Sequence, residues 1–272
     1  MSYTVLARRY RSQGFDELVG QQAIAETLVS AIAENRVAHA YLFCGTRGVG
    51  KTSTARIFAN ALNNPDDKPE IREAIMAGRD TDTIEIDAAT NNSVENAREL
   101  IANAAYRPMR GHKKVYVIDE RHMLSQAAFA ALLKTMEEPP AHGVFILCTT
   151  ETHKVPATIQ SRCQRFDFRN IPAAKIVEHL TAVMKTEDRM AGGEVLHLVA
   201  RLANGSMRDA LSLLDRLLAT GKDPLTPELL EELVGLPDRD VIVNIVGALG
   251  DSDAATALKL ADELLQRSPS GD

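Results

Sequence analysis

The stretch that decides the fold is Gly45-Thr46-Arg47-Gly48-Val49-Gly50-Lys51-Thr52, which follows the apolar segment Ala40-Tyr41-Leu42-Phe43-Cys44. The stretch satisfies the phosphate-loop pattern G-x-x-x-x-G-K-[ST], and apolar residues recur at helical spacing directly after it. A strand, such a loop and a helix in this order turn backbone N–H groups and the positive end of the helix dipole toward phosphate. The segment therefore predicts a nucleoside triphosphate site.

Within this loop, single residues have distinct predicted roles. Lys51 is expected to reach the β- and γ-phosphates, and the Thr52 hydroxyl is expected to coordinate Mg²⁺. The alternative is a glycine-rich turn that binds nothing. This interpretation is the weaker one, because a Lys-Thr pair follows the last glycine. The predicted nucleotide-binding residues of the loop are Gly45, Thr46, Arg47, Gly48, Val49, Gly50, Lys51, Thr52 and Ser53.

Two further segments end in residues that suit hydrolysis. The apolar run Val115 to Ile118 is followed by Asp119, predicted to hold Mg²⁺, and by Glu120, predicted to orient or deprotonate the attacking water. Another apolar run, Val144 to Cys148, leads to Thr150, whose hydroxyl could sense the γ-phosphate. By themselves such residues are also common at strand ends, so the phosphate loop upstream carries this interpretation.

The order of elements predicts an α/β core followed by helices. Strand-like and helix-like stretches alternate up to Pro172, which indicates a parallel sheet flanked by helices, and amphipathic helices alone follow. We expect a nucleotide-binding α/β domain over 1–172, a small all-α lid over 173–235, and over 236–272 the start of a further all-α domain that is cut short.

Composition excludes several classes of protein. No apolar run reaches the ~20 residues of a membrane span, and the first residues lack the apolar segment of a signal peptide, so we expect a cytoplasmic protein without membrane contact. The three cysteines are widely separated, which favours core thiols over a disulfide framework or a zinc site. A net charge of −6 argues against a general nucleic-acid coat, although the basic segments 8–11 and 107–114 could form a positive face.

Seven segments stand in a distinctive order along the chain. They are YTVLARRYR (3–11), VGQ (19–21), the phosphate loop (45–52), IEIDAA (84–89), LLKTMEEPP (132–140), KVPATIQSRC (154–163) and GSMRDA (205–210). Together they resemble the gamma/tau subunits of the bacterial DNA polymerase III clamp loader, which carry an AAA+ ATPase fold. The resemblance runs in order from residue 3 to about residue 235.

This resemblance implies an ATP-hydrolysing motor that uses ATP and Mg²⁺. Within a hetero-pentameric AAA+ ring of clamp-loader subunits, it would open the sliding clamp and place it on primed DNA. It also implies ATPase chemistry without a polymerase site, since a polymerase needs acids that hold two metal ions at a primer end. The third domain would form the collar of the ring.

The resemblance also implies roles for four residues outside the loop. Arg162 in Ser-Arg-Cys would complete the ATP site of the adjacent subunit as an arginine finger. Arg208 would reach from the lid to the γ-phosphate of its own site. Ala7 and Val19 would pack on the adenine. Without the resemblance, the sequence favours surface roles for Arg162 and Arg208, and ordinary core contacts explain Ala7 and Val19 nearly as well.

Three segments depart from the family pattern. The interval 63–70 lacks the four cysteines of a zinc module, so we predict no zinc. Arg121 stands where the family usually has an apolar residue, and its charge could alter Mg²⁺ affinity or the pKa of Glu120. Arg11-Ser12-Gln13 also departs, on the adenine side of the site. For DNA backbone contact, the candidates are 91–93 and the loop 107–114, whose alternatives are a helix cap and a solvated loop.

Two other functions compete with a clamp-loader motor. A nucleotide-binding structural subunit of the same complex with little turnover is favoured only by Arg121. Another AAA+ DNA-remodelling ATPase would share the loop and strand acids, but it would not account for the Ser-Arg-Cys and Gly-Ser-Met-Arg-Asp segments in this order.

Overall fold

A parallel β-sheet flanked by helices precedes a series of helices in this computed structural model, which describes residues 3–87, 106–119, 135–235 and 239–267. The strands in the described residues lie in the order β2-β3-β4-β1-β5, and every neighbouring pair is parallel. This confirms the predicted fold class. The strands are β1 Ala40–Cys44, β2 Thr83–Asp87, β3 Lys114–Asp119, β4 Gly143–Thr149 and β5 Gln164–Asp167.

Burial explains which strands were predictable. Every residue of β1 and β4 is buried, and β3 is buried as far as Ile118, as expected for apolar runs covered on both faces. The edge strand β5 was not predicted, because Phe166 is its one buried residue and its sequence has no apolar run. Its pairing with β1, which sets Phe166 beside Phe43, defines it as a strand.

Helices and their connections surround the sheet and follow it in the described chain. The amphipathic pattern after Pro172 predicts helices over 175–184, 194–203 and 206–220, and helices are present there with ends shifted by one to two residues. Apolar residues at helical spacing also predict a helix after Asn92, which lies outside the described residues. The α-helices are Leu6–Arg9, Gln22–Ala33, Lys51–Asn63, Pro69–Met76, Ala157–Gln160, Ala173–Thr186, Gly193–Leu202, Met207–Ala219, Pro227–Val234, Arg239–Gly250 and Ala254–Arg267, and short 3₁₀ helices span Phe15–Glu17 and Thr152–Lys154.

Aromatic packing fixes the helix Lys51–Asn63 against the sheet. On one face of the sheet, the rings of Tyr41 and Phe58 meet edge to face with centroids 5.0 Å apart. On the opposite face, Tyr116 and Phe145 stack at 5.2 Å. Because Tyr41 belongs to β1 and Phe58 to the helix, this contact holds both ends of the phosphate loop in place.

The helices after Pro172 share a core of their own, and the N-terminal helix joins it. Leu6 is fully buried among the apolar residues of these helices, and the Tyr3 hydroxyl donates a hydrogen bond to Asp215 on the helix Met207–Ala219. The N-terminal segment is thus packed on the lid helices, close to the phosphate loop. The predicted domain boundaries at 172 and 235 stay predictions.

Beyond residue 238, two helices pack on each other and leave apolar side chains exposed. None of the described helices is long and apolar enough to cross a membrane. The exposed apolar residues of this segment include Ile242, Val243, Val246, Leu249 and Leu258.

Candidate functional site

The phosphate loop connects the carboxyl end of β1 to the helix Lys51–Asn63 through glycines that no other residue could replace without strain. Gly45 has φ +147°, and a Cβ atom there would stand 2.5 Å from the carbonyl oxygen of Phe168. Gly50 has φ +102° and directly precedes the helix. Positive φ of this kind is accessible mainly to glycine, so the loop conformation depends on these positions.

The Lys51 side chain is buried inside this loop. Its Nζ atom donates 2.8 Å hydrogen bonds to the carbonyl oxygens of Gly45 and Thr46. These contacts hold the ammonium group at the start of the helix, where a phosphate bound by the loop amides would lie. The position matches the predicted role, which remains a proposal.

The Thr52 hydroxyl and the Asp119 carboxylate meet across the site. Thr52 Oγ1 donates a 2.7 Å hydrogen bond to Asp119 Oδ2. The pairing follows from topology, since the loop after β1 and the end of β3 both lie at the carboxyl edge of the sheet. Two oxygen donors of this kind, with waters and phosphate oxygens completing the shell, suit Mg²⁺. The residues present therefore fit the predicted ion.

A cleft of about 460 Å³ lies beside the loop and brings together residues from the N-terminal segment, the sheet and the lid. Among the predicted residues, the cleft wall includes Ala7, Val19, Asp119 and Arg208 together with the loop from Arg47 to Ser53. Gly45, Thr46, Thr150 and Arg162 do not line it, and Glu120 lies outside the described residues. The sequence analysis placed Arg11 and Ser12 on the adenine side of the site, and it missed the wall residues Tyr10, Leu18, Ile171, His179, Met207 and Leu211.

The apolar part of this wall offers a surface for a nucleotide base. Met207 and Leu211 stand one turn apart on the same helix, a spacing that could have indicated a shared face with Arg208. Burial lowers the pKa of His179, and the charge of Glu17 opposes this shift, so burial favours the neutral imidazole. Ile171 belongs to a connection without periodicity, and no local signal marks it.

The lid helix Met207–Ala219 touches the phosphate loop directly. The backbone N–H of Met207 donates a 3.0 Å hydrogen bond to the carbonyl oxygen of Gly48. Ser206 caps this helix by accepting a hydrogen bond from the backbone N–H of Asp209 at 3.2 Å. Arg208, in the first turn, is thereby held beside the loop with its side chain exposed toward the cleft.

Replacing Gly48 by alanine is expected to loosen this contact. A Cβ atom at Gly48 would stand 1.9 Å from Ser206 Oγ, so the hydroxyl must leave its capping position. Gly221 has a similar φ, +72° against +77°, and nothing within 4 Å of its Cβ position, so Gly221→Ala is the matched control for backbone strain. Urea unfolding should show that Gly48→Ala lowers the free energy of unfolding by about 0.5–2 kcal/mol more than Gly221→Ala does, which is the cost of a lost helix cap. Equal losses would contradict the proposed collision.

The buried side chain of Gln21 joins the N-terminal part of the chain to the connection that follows β5. Gln21 Nε2 donates a 2.7 Å hydrogen bond to the carbonyl oxygen of Arg169, and the Arg169 N–H donates to Gln21 Oε1 at 3.3 Å. Close by, Thr46 Oγ1 donates to Asn170 Oδ1 at 2.6 Å. These bonds fix the connection between β5 and the lid, so the loop and the lid share one support.

Arg162 lies away from the cleft of its own chain. Its Nη2 atom donates a 2.8 Å hydrogen bond to Glu137 Oε1, and its Nη1 atom donates to the carbonyl oxygen of Thr158 at 2.5 Å. Its side chain is still partly exposed. This position leaves the guanidinium available to a neighbouring molecule, which is compatible with a role in trans.

The basic loop 107–114 is held by a buried carboxylate. Asp82 accepts hydrogen bonds of 2.7 to 2.8 Å from the backbone N–H groups of Met109, Arg110 and Gly111. Burial raises the pKa of Asp82, but these three bonds outweigh burial and lower it. Because the loop precedes β3, it lies at the sheet edge opposite the cleft. The other DNA candidate, 91–93, lies outside the described residues.

Asn64 forms two hydrogen bonds with the backbone of Lys68 within the interval 63–70, for which the sequence predicts no zinc module. Asn64 Nδ2 donates to the carbonyl oxygen of Lys68 at 3.0 Å, and the Lys68 N–H donates back to Asn64 Oδ1 at 2.8 Å. Within the ranges that the structure describes, no group of three or more histidine, cysteine, aspartate or glutamate side chains could hold a metal ion. The absence of zinc stays a prediction.

Comparison with known proteins assigns this arrangement to a family. The model of the family described as DNA polymerase III, delta subunit, matches residues 20–172, and that of the DNA polymerase III clamp loader subunit, ATPase lid domain, matches residues 175–223. Over 97% of its length, the chain is 38% identical to DNA polymerase III subunit gamma of Buchnera aphidicola subsp. Schizaphis graminum and covers 75% of that protein. The chain belongs to the DNA polymerase III gamma/tau family.

Longer members of the gamma/tau family are also similar. DNA polymerase III subunit tau of Bacillus subtilis is 44% identical over 98% of the chain, and that of Escherichia coli is 42% identical over the same share. The chain spans 49% and 43% of these two proteins, less than half of either. The activities and partners of these longer proteins are therefore only proposed for this chain.

Solved structures support the AAA+ fold of this gamma/tau relative. The Thermotoga maritima RuvB Holliday junction branch migration motor superposes with a TM-score of 0.62 at 17% identity, covering 93% of this chain and 85% of that one. At this identity the likeness concerns the fold alone. It agrees with the parallel sheet and the helices that follow it.

Proposed function

We propose that this chain is the ATP-hydrolysing motor of a bacterial replicative clamp loader. The observation that carries the proposal is the cleft itself, in which Lys51, the Thr52–Asp119 pair and Arg208 of the lid converge. The phosphate loop and the sheet alone would be enough to bind a nucleotide. Because this site also includes a residue of the lid, the position of the lid would depend on the bound nucleotide.

Binding of ATP would use the residues in these positions. The loop amides and Lys51 would hold the phosphates, and the base would lie against Ala7, Val19 and the apolar lid residues. Thr52 and Asp119 would hold Mg²⁺, which neutralises charge on the β- and γ-phosphates when bound.

Hydrolysis would require groups on both sides of the γ-phosphate. Glu120 would orient or deprotonate the attacking water, and Thr150, just beyond the end of β4, would contact the γ-phosphate once ATP is bound. Arg208 would contact the γ-phosphate from the lid, and Arg162 would complete the site of the adjacent subunit. ATP would therefore be cleaved only when lid and neighbour are correctly placed.

Partners and location follow from the same proposal. The chain would act in a hetero-pentameric ring with related subunits, bind the sliding clamp and contact the backbone of primed DNA, in the cytoplasm and away from membranes. Residues 1–172, 173–235 and 236–272 would serve as motor, lid and start of the collar. The exposed apolar side chains between Ile242 and Leu258 agree with a collar that packs on further protein.

Turnover by the full-length subunit, reconstituted with its partner subunits, tests the proposal. ATP hydrolysis should rise on addition of clamp and primed DNA. Glu120→Gln should lower it by about 10²–10⁴-fold, the value of a general base, without loss of ATP binding. Glu138→Gln, an exposed glutamate, is the control.

Two outcomes would favour the rival functions. If the wild-type assembly binds ATP and never hydrolyses it, the chain is a structural subunit. Arg121, which follows Asp119 and Glu120 in the sequence, favours this alternative. If hydrolysis responds to DNA and not to the clamp, another AAA+ DNA-remodelling ATPase is the better description.

A further inference from the structure

A second recess, of about 680 Å³, lies next to the nucleotide cleft. Its walls come from the N-terminal helix, the helix Lys51–Asn63, the helix Pro69–Met76 and the first turn of the lid helix Met207–Ala219, with residues next to them. It shares Ala7, Arg11 and Arg208 with the nucleotide cleft and otherwise has separate walls. The recess is lined by one acidic residue, Glu73, and by six arginines, Arg8, Arg11, Arg56, Arg72, Arg79 and Arg208.

Three of these arginines have carboxylate partners. Arg56 is held by Glu85 through two hydrogen bonds of 2.7 and 2.8 Å. Arg72 pairs with Asp67, and Arg79 pairs with Glu73 at 3.7 Å. The other three, Arg8, Arg11 and Arg208, form no ion pair with any residue in the described ranges.

Arg11 is the most constrained of the three. It is partly buried, and its pKa is lowered by that burial and by the nearby charges of Arg56, Arg208 and Arg8, with Glu85 opposing them. Like charges collected in a partly buried recess repel each other. An anion placed among them would relieve this repulsion and supply the missing acceptors.

The phosphates of ATP on the loop do not account for this charge. Arg8, Arg56, Arg72 and Arg79 line only the second recess and are absent from the wall of the nucleotide cleft. One arginine guanidinium can bind two phosphate oxygens at once, and here guanidinium groups from four helices and the residues next to them line one recess. A nucleic-acid backbone is instead usually met by a stripe of basic residues along one face.

We propose that the recess binds a small polyphosphate anion, pyrophosphate or the phosphate tail of a second nucleotide, at the same time as ATP occupies the loop. Arg8 and Arg79 would supply the outer contacts and Arg11 the inner one. Because Arg11 and Arg208 line both cavities, the bound anion would lie beside the nucleotide. The proposal goes beyond the motor function and does not depend on hydrolysis.

Calorimetric titration with inorganic pyrophosphate tests this site, on protein whose loop is saturated with Mg²⁺ and a non-hydrolysable ATP analogue. We expect one saturable site, weakened about tenfold or more in Arg8→Ala/Arg79→Ala, since charge-assisted hydrogen bonds are lost. Arg36→Ala/Arg165→Ala is the matched control, because it removes two exposed arginines that do not line the recess and changes the net charge equally. A parallel titration with a nucleoside diphosphate distinguishes a second nucleotide from free pyrophosphate.

Several results would overturn the proposal. These are no binding to the analogue-saturated protein, equal weakening in both double variants, or release of the analogue by pyrophosphate, which would place the anion on the loop. A single-stranded oligonucleotide that competes with pyrophosphate and binds far more tightly would assign the recess to nucleic acid. Binding of the analogue is measured first, so failure of the motor proposal would be seen separately.

Discussion

Replacing Lys51 by alanine is expected to weaken ATP binding by roughly 30- to 5,000-fold, or about 2–5 kcal/mol, the usual result of truncating one partner of a buried charge pair. Lys51 is buried in the phosphate loop, with its Nζ atom 2.8 Å from two loop carbonyl oxygens. In the complex this ammonium would meet the β- and γ-phosphates. The affinity of a fluorescent ATP analogue, measured by titration, checks the prediction.

Two controls separate this effect from a damaged loop. Lys175→Ala removes an exposed lysine of the lid that pairs with Glu178, and it should leave affinity unchanged. Thermal unfolding without nucleotide shows whether Lys51→Ala still folds, since Gly45 and Thr46 each lose a hydrogen-bond donor. A folded Lys51→Ala variant that binds ATP as well as wild type would refute the assignment of the loop.

Arg162→Ala is expected to lower ATP turnover of the reconstituted clamp loader by about 10³–10⁵-fold, the range known for arginine fingers. ATP affinity of the isolated chain should stay unchanged, because Arg162 does not line its own cleft. The guanidinium is held near the surface by Glu137 and by the carbonyl oxygen of Thr158. Turnover is measured with clamp and primed DNA present.

The control for this variant is Arg165→Ala, an exposed arginine of β5 that pairs with Asp167. It should retain wild-type turnover. Loss of ATP binding in isolated Arg162→Ala would indicate a role in cis, and unchanged turnover of the assembly would exclude the finger. Both results contradict the proposed geometry between subunits.

Prediction from sequence succeeded where the signal is local. The strands β1, β3 and β4 show their burial within a few consecutive residues, because buried parallel strands are continuously apolar. The glycine-rich turn of the phosphate loop is equally local. The meeting of Thr52 with Asp119 could also be anticipated, since both follow strands that end at the same edge of a parallel sheet.

Prediction failed where one element depends on another. The strand β5 has no apolar run and exists through its pairing with β1. His179 and Ile171 reach the cleft only because the lid folds back over the loop. Nothing near them in the sequence describes that approach.

By itself, then, the sequence determined that this chain has a phosphate loop on a parallel sheet and resembles the gamma/tau family. The order of residues in the chain is enough to recognise the phosphate loop, because its glycines, its lysine and its hydroxyl group all lie within eight consecutive residues. Only the tertiary structure decided that the lid contacts Gly48 and that arginines from four parts of the chain share a recess. The lid residues Met207 and Arg208 lie more than 100 positions after the residues that they approach, and packing of the helices, rather than any local pattern, sets their distance.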